Sequence, residues 1–408
     1  MKTGTSKIIK SMRAAIRYFP LASMFFMLIP TVLAMGHEVG CALRCDGYDM
    51  RDTIQKHLIP EDLSYLFKSG TEGYHTFRIP AIVSAGRGTL VAFAEGRKRS
   101  ASDTGDIDLV FRRSEDGGKT WGALKVLWDD GNNVCGNPAP VFNAETGILF
   151  LLSTWNLGED HEQEIIAQTS RDTRRIFLLS SPDGGTSWSA PLEITLSVKK
   201  PEWTWYATGP CHGIQLKIGL HRGRMVIPCD HIEADSKKYY SHVIYSDDHG
   251  QTWQIGGITP MDQVNECTVA ELSDGRLLLN MRNYDRTAKS RKISHSTDGG
   301  QTWGPVISDQ ALVEPICQAT LLKMPGRRRK PGKLLFLNPS DESNRIRMTL
   351  HISNDDGKTW TDRKLLYGGP SAYSDLVWVK GDVAGCLFEA GLKSPYEGIV
   401  FMIVKTRK

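Results

Sequence analysis

One eight-residue pattern occurs five times in this chain, and no other feature restricts its fold so strongly. S-x-D-x-G-x-[ST]-W appears as SEDGGKTW from Ser114, SPDGGTSW from Ser181, SDDHGQTW from Ser246, STDGGQTW from Ser296 and SNDDGKTW from Ser353. The copies start 50 to 67 residues apart and hold five of the ten tryptophans, so the chain is assembled from a repeated unit. The pattern reads as a hairpin turn. An Asp side chain bonds backbone N–H groups just ahead of it, Gly supplies positive φ, and the Ser or Thr hydroxyl closes the turn. The Trp is then free to pack between neighbouring units. Five copies of one small sugar or metal site would be odd, so the motif is read as structural.

The segments around each copy share a rhythm. In 76–128, TFRIPAIV and TLVAFAEG read as strands joined by the turn SAGRG. A loop through Asp103 leads to the strand DIDLVFRRS, then the motif, then LKVLW. Alternating apolar and polar residues between Gly-rich turns support each assignment. GILFLLSTW with RRIFLLS, RMVIPC with SHVIYS, RLLLNMR with RKISHS, and KLLFLN with RMTLHIS repeat the order. The fold class is therefore all-β, a six-bladed β-propeller of four-stranded antiparallel sheets. SDLVWV, CLFEA and GIVFMIV supply only three strands after the last motif, so the outer strand of the sixth blade is expected from 62–68, around LSYLFK. Sharing that blade between the chain's two ends removes an exposed edge.

The first 35 residues hold Lys2, Lys7, Lys10, Arg13 and Arg17 and no acid. Without them, 45 basic residues face 46 acidic ones, which excludes a generally basic nucleic-acid binder. The basic stretch, the apolar run at 18–36 and the small residues near Ala34 to Gly36 form a secretory signal pattern. An uncleaved anchor is the alternative, and Cys41 is a weak lipid-anchor candidate. The domain reading is signal peptide 1–36, lead-in 37–60 and propeller 61–408, exported to a periplasmic, extracellular or lysosomal-type space, with no stable membrane span after cleavage. The eight cysteines show no zinc spacing and read as small buried hydrophobes with at most one bridge. RRRKPG at 327–332 reads as a solvated bottom loop.

In a meander blade, connections alternate between two faces. The motif marks the bottom, so the start of strand one and the second-to-third loop face the top. Arg78, Asp103, Glu266, Arg282, Arg345 and Tyr373 all fall there, far apart in sequence. Three guanidiniums can clamp a carboxylate through bidentate hydrogen bonds. An anionic substrate would repel a carboxylate nucleophile, whereas a neutral phenol avoids that repulsion. Glu266 can take the phenol proton, and Asp103 can protonate a leaving oxygen if its pKa is raised. Trp155, Trp203, Trp205 and Tyr206 lie near upper loops, either shaping substrate contacts or packing in the core.

With these residues in place, the chain resembles the sialidases (exo-α-neuraminidases). The resemblance rests on YHTFRIP at 74–80, the five Asp boxes, AFAEGR at 92–97, NECTVAEL at 265–272, LNMRN at 279–283, NRIRMTL at 344–350 and GPSAYSDL at 369–376, and it covers about 70–408. It implies that Arg78, Arg282 and Arg345 grip a sialic acid carboxylate. It further implies Tyr373 as nucleophile, Glu266 as the acid that activates it, and Asp103 as general acid/base. Arg97 resembles a further arginine near the substrate carboxylate. A retaining mechanism through a covalent sialyl-tyrosine is implied. So are a monomer acting on sialylated glycoproteins, glycolipids or oligosaccharides, no nucleic-acid partner, and no cofactor or metal. Arg347, two residues past Arg345, would share its face in an unbroken strand. A trans-sialidase, a hydrolase preferring a deaminated sugar acid, and a non-catalytic carbohydrate-binding propeller stay open as alternatives.

Overall fold

The computed structural model describes residues 63–326 and 332–407. The export-type segment, the lead-in with Cys41 and Cys45, and most of the basic loop at 327–332 lie outside the described residues. Antiparallel strands dominate, following the expected repeat. After β1 (Tyr65–Lys68), the first unit comprises β2 (Thr76–Ser84), β3 (Leu90–Arg97), β4 (Ile107–Ser114) and β5 (Lys125–Trp128). The second comprises β6 (Val134–Phe142), β7 (Leu149–Asn156), β8 (Arg175–Ser181) and β9 (Leu192–Glu193). The third comprises β10 (Trp203–Thr208), β11 (Ile214–Gln215), β12 (Met225–Glu233), β13 (Tyr239–Ser246) and β14 (Gln254–Ile258). The fourth comprises β15 (Val264–Glu271), β16 (Leu277–Asn283), β17 (Ser290–Ser296) and β18 (Ile307–Val313). The fifth comprises β19 (Thr320–Lys323), β20 (Leu334–Pro339), β21 (Ile346–Ser353) and the start of β22 (Asp362–Lys380). The sixth takes the rest of β22, β23 (Val383–Ala390), β24 (Gly398–Lys405) and β1, which pairs with β24 as expected.

The expectation of separate four-stranded sheets needs correction. Among the described residues, hydrogen bonding links the strands into four sheets of seven, five, four and eight strands. β22 runs unbroken for 19 residues from the outer edge of the fifth unit into the sixth. A parallel bridge between Ile107 and Val134 joins the first unit to the second.

The five motifs form one hydrogen-bonded turn. In the first, Asp116 Oδ1 accepts from the N–H groups of Lys119 and Thr120, and Oδ2 accepts from the Thr120 hydroxyl. The Ser114 hydroxyl donates to Asp116 and accepts from Gly118 N–H. Gly118 sits at φ 84°, a conformation that favours glycine, with its Cα face against the Phe401 ring. Each motif tryptophan reaches the preceding unit. Trp188 packs edge-on against Phe93 and Phe111, Trp253 against Phe150, and Trp121 against Phe401 of the sixth unit. Trp303 and Trp360 donate their indole N–H groups to Gly257 O and Asp309 Oδ2.

The core lies in apolar clusters between successive units. Phe93, Phe111, Leu149 and Leu151 join the first to the second. Phe77 and Leu90 of the first unit share a cluster with Val377, Leu387 and Ile399 of the sixth. Asp375, fully buried in β22, accepts from Ile82 N–H of the first unit, from His212 N–H and from the Thr320 hydroxyl of the fifth, tying together strands far apart in sequence. Register then sets polarity. Leu90 pairs with Ser114 and Arg97 with Ile107, so motif and polar residues occupy opposite ends of the same strands.

Candidate active site

Arg78 owes its direction to a break in β2. The apolar run TFRIPAIV would continue as a regular strand, but the register with β3 shifts between Arg78 and Ala81. Ile79 there adopts φ 57°, a left-handed conformation costly for a β-branched residue. Its N–H donates to Glu389 Oε1 at 2.9 Å. Arg78 donates to the same carboxylate, Nε at 3.1 Å and Nη2 at 3.3 Å, and lies 4.2 Å over the Tyr396 ring. The bulge re-aims the arginine, and a buried glutamate from the preceding unit holds both. The second unit repeats the device: Asn137 sits at φ 51° and donates its N–H to Glu95 Oε1 at 2.9 Å.

Tyr373, Glu266 and Arg282 form a compact group. The Tyr373 hydroxyl donates to Glu266 Oε1 at 2.7 Å. Arg282 Nη1 donates to Glu266 Oε2 at 2.6 Å and to the Tyr373 oxygen at 3.0 Å. Burial, and next Glu266, push the Tyr373 pKa well above its ordinary value; Arg282, Arg345 and Arg78 oppose without prevailing. The resting phenol is therefore neutral. Arg345 bonds Tyr396 Oη at 2.9 Å and Ile316 O at 3.1 Å. Arg347 does not share its face. It is exposed at φ 63°, and the register slips between Ile346 and Met348, so strand alternation fails there.

One expectation requires correction. Asp103, on the loop between β3 and β4, does not have a raised pKa in the free protein. Burial pushes it up, but the guanidiniums of Arg97 at 2.6 Å and Arg78 at 3.7 Å outweigh that and hold it below the ordinary value. Its side chain is 64% exposed. Arg97 lines the same cavity as Arg78 and has partners of its own. Only 2% exposed, it bonds Glu95 Oε2 at 2.6 Å, Asp103 and Ala101 O, and so anchors the Asp103 loop. Asp106 and Asp108, the other acids of this segment, surround the Lys98 ammonium with Asp129, each at 3.2 Å. That ammonium takes the place a cation would have among the three carboxylates.

Arg78, Arg97, Asp103, Glu266, Arg282, Arg345 and Tyr373 all line one cavity of about 260 Å³. Of the four aromatic candidates only Trp205 joins them. Trp203 stacks on His231 at 3.7 Å, Tyr206 is buried in the core, and Trp155 donates to Asp130 beneath Arg175. Sequence reasoning missed Arg174, Asp230, Glu162, Tyr284 and Tyr396 among the lining residues, and Glu389 behind them. A polar residue inside an apolar strand was the available signal for two of these: Asp230 in MVIPCDHIE and Glu389 in VAGCLFEA.

Fold and cavity together define a repeat-built β protein with a polar, arginine-rich site, and comparison with known proteins agrees. The BNR repeat-like domain model matches residues 88–384. The sialidase of Micromonospora viridifaciens is 32% identical over 334 residues, which is 79% of this chain and 51% of that protein. Human Sialidase-3 is 30% identical over 409 residues, covering 85% of this chain and 92% of its own. A Hadza microbial sialidase structure superposes with a TM-score of 0.74 at 29% identity, covering 84% of this chain and 68% of that one. The chain belongs to the sialidase family. It spans about half the length of the Micromonospora relative and 62% of a Bacteroides fragilis sialidase.

Proposed function

We propose that this protein is a retaining exo-α-sialidase that releases terminal sialic acids from glycoproteins, glycolipids or oligosaccharides. The observation that carries the reading is a neutral, buried phenol bonded to Glu266 at 2.7 Å, beside the guanidinium of Arg282. Arg78, Arg282 and Arg345 bind the sialic acid carboxylate. Glu266 takes the phenolic proton, and the Tyr373 oxygen bonds to the anomeric carbon as the glycosidic C–O bond breaks. Asp103 gives its proton to the leaving oxygen. Water, deprotonated by the Asp103 carboxylate, then attacks the anomeric carbon, and the phenolic oxygen recovers its proton from Glu266. The free-state salt bridges of Asp103 oppose its protonation. A bound carboxylate on Arg78 offsets one of those positive charges and lets Asp103 serve as an acid.

We read the six units as blades of one closed propeller, on the strength of the cluster shared by first and last units and the Trp121–Phe401 contact. We also read the protein as exported, from the signal pattern of its first 36 residues. A carbohydrate-binding propeller would have no use for the Tyr373–Glu266 hydrogen bond.

Incubation with 3′- and 6′-sialyllactose, followed by NMR, tests the reading. Free sialic acid should appear first as the α-anomer. Initial β-anomer sinks retention, transfer or an anhydro product places the enzyme among trans-sialidases, and no turnover removes the catalytic reading.

A further inference from the structure

Arg174 is 3% exposed and lines the cavity, yet among the described residues no carboxylate lies within 4.0 Å of it. Among the described residues only Nη1 has hydrogen-bond partners: Asn137 Oδ1 at 2.8 Å, Thr154 Oγ1 at 3.1 Å and Tyr206 O at 3.3 Å. Nε is buried without one. The guanidinium lies 3.8 Å over the Trp205 ring. Burial lowers its pKa more than Glu95, Glu162, Asp103 and Asp230 raise it, so these acids do not compensate for its desolvation. Asp230, fully buried in the same cavity wall, accepts from Asn265 through Oδ2 and leaves Oδ1 unpartnered. Burial, and next Glu266, raise its pKa well above the ordinary value. Buried groups of this kind are costly unless a ligand completes their hydrogen bonds.

Their place in the fold says which part of a substrate meets them. Arg174 and Asn137 belong to the second unit, Trp205 and Asp230 to the third; Arg345 belongs to the fifth, Tyr373 and Tyr396 to the sixth. In a ring of six, the second and third units face the fifth and sixth. C5 of a pyranose lies across the ring from C2, which carries the carboxylate and the glycosidic oxygen. Taking the cavity as a sialidase site, we propose that Arg174 and Asp230 select the C5 substituent and favour a sugar acid bearing a C5 hydroxyl over its acetamido counterpart.

A C5 hydroxyl can accept from Arg174, with the Asp230 carboxyl in the same cavity wall. An acetamido group adds a methyl that needs an apolar wall; on the side of the second and third units that wall is limited to Val134, Ala207 and the Trp205 ring, one face of which Arg174 covers. A site built to hydrogen-bond a hydroxyl discriminates strongly against analogues that leave its buried groups unpaired.

The test compares kcat/KM for the 4-methylumbelliferyl α-glycosides of deaminated and N-acetylated sialic acid. The wild type should favour the C5-hydroxyl substrate by about tenfold or more. Arg174→Leu should lower that preference at least tenfold. The ratio is independent of how much variant folds, because both substrates report on the same active population. A wild-type ratio at or below one, or an equal loss on both substrates in the variant, overturns the inference while leaving the sialidase reading intact. No wild-type turnover of either substrate removes both.

Discussion

Asp298→Ala separates the repeated turn from the active site. The carboxylate accepts from the Ser296 hydroxyl at 2.7 Å, Gln301 N–H at 3.0 Å, Thr302 N–H at 2.9 Å and the Thr302 hydroxyl at 2.5 Å. At about 1 kcal/mol net each, four such bonds would total ~4 kcal/mol. Gln301 and Thr302 are exposed, so water replaces the carboxylate at three of them, and the expected loss is about 1–2 kcal/mol. The Trp303 indole still bonds Gly257 O at 3.0 Å, so the unit keeps its anchor. For a domain of this size that loss lowers Tm by roughly 1–3 °C. Activity should hold, because Ser296 pairs with Leu277, and Arg282 lies roughly 17 Å further along β16. Burial tends to raise the Asp298 pKa, but the donors of Thr302, Ser296 and Gln301 outweigh it and hold the group below its ordinary value. A lowered folded-state pKa gives stability that is present above about pH 4 and lost as pH falls through the folded value. The Tm gap between wild type and variant, followed by circular dichroism, should therefore close in acid. A fall in kcat/KM at unchanged Tm would place the motif in the site and overturn the assigned polarity of the sheets; a gap that widens in acid would refute the hydrogen-bond account.

Tyr373→Phe and Glu266→Gln should each lower kcat by several orders of magnitude, and the double variant should be little worse, since phenol and base act as one unit; additive losses in steady-state kinetics would separate them. Asp103→Asn should impair natural sialosides far more than aryl sialosides, whose leaving group needs little protonation; equal losses on both would remove Asp103 as the acid. Glu389→Ala strands a buried Arg78 and releases Ile79 N–H, and should cost about 3–5 kcal/mol in urea unfolding; a loss under about 1 kcal/mol would show that the pair is not structural. Burial pushes His231 and His351 down to about 3 and His242 well below its ordinary value. Depressed histidines give stability that is lost as pH falls from about 6.5 toward 3, at ~1.4 kcal/mol per pH unit for each. The urea midpoint should fall over that window, and His351→Leu should flatten part of the slope; an unchanged slope would mean that His351 titrates normally.

The Asp boxes were legible because their bonding is local: Asp116 meets its partners within four residues. The closing strand around LSYLFK was legible because the last unit visibly lacked one. The polar set at one rim was legible because meander topology assigns every loop to a face, so Arg78, Asp103, Glu266, Arg282, Arg345 and Tyr373 needed only that rule. The rule says nothing about where a long side chain turns. Arg97 lines the same cavity and turns to bond Glu95 and Asp103. A left-handed residue sends Arg347 outward where strand alternation pointed it in.

The sequence by itself determined the repeat, the turn chemistry and the end of the sheets where polar residues gather, all of which follow from periodicity and short-range hydrogen bonding. Tertiary structure alone decided the pairings. Arg78 and Glu389 are 311 residues apart, and Glu266 and Tyr373 are 107 apart. Packing of distant units decides which carboxylate meets which guanidinium, and with it the direction in which the pKa values of Asp103, Tyr373 and Asp230 move. A pKa depends on burial and on charges within a few ångströms, and neither is encoded in local sequence.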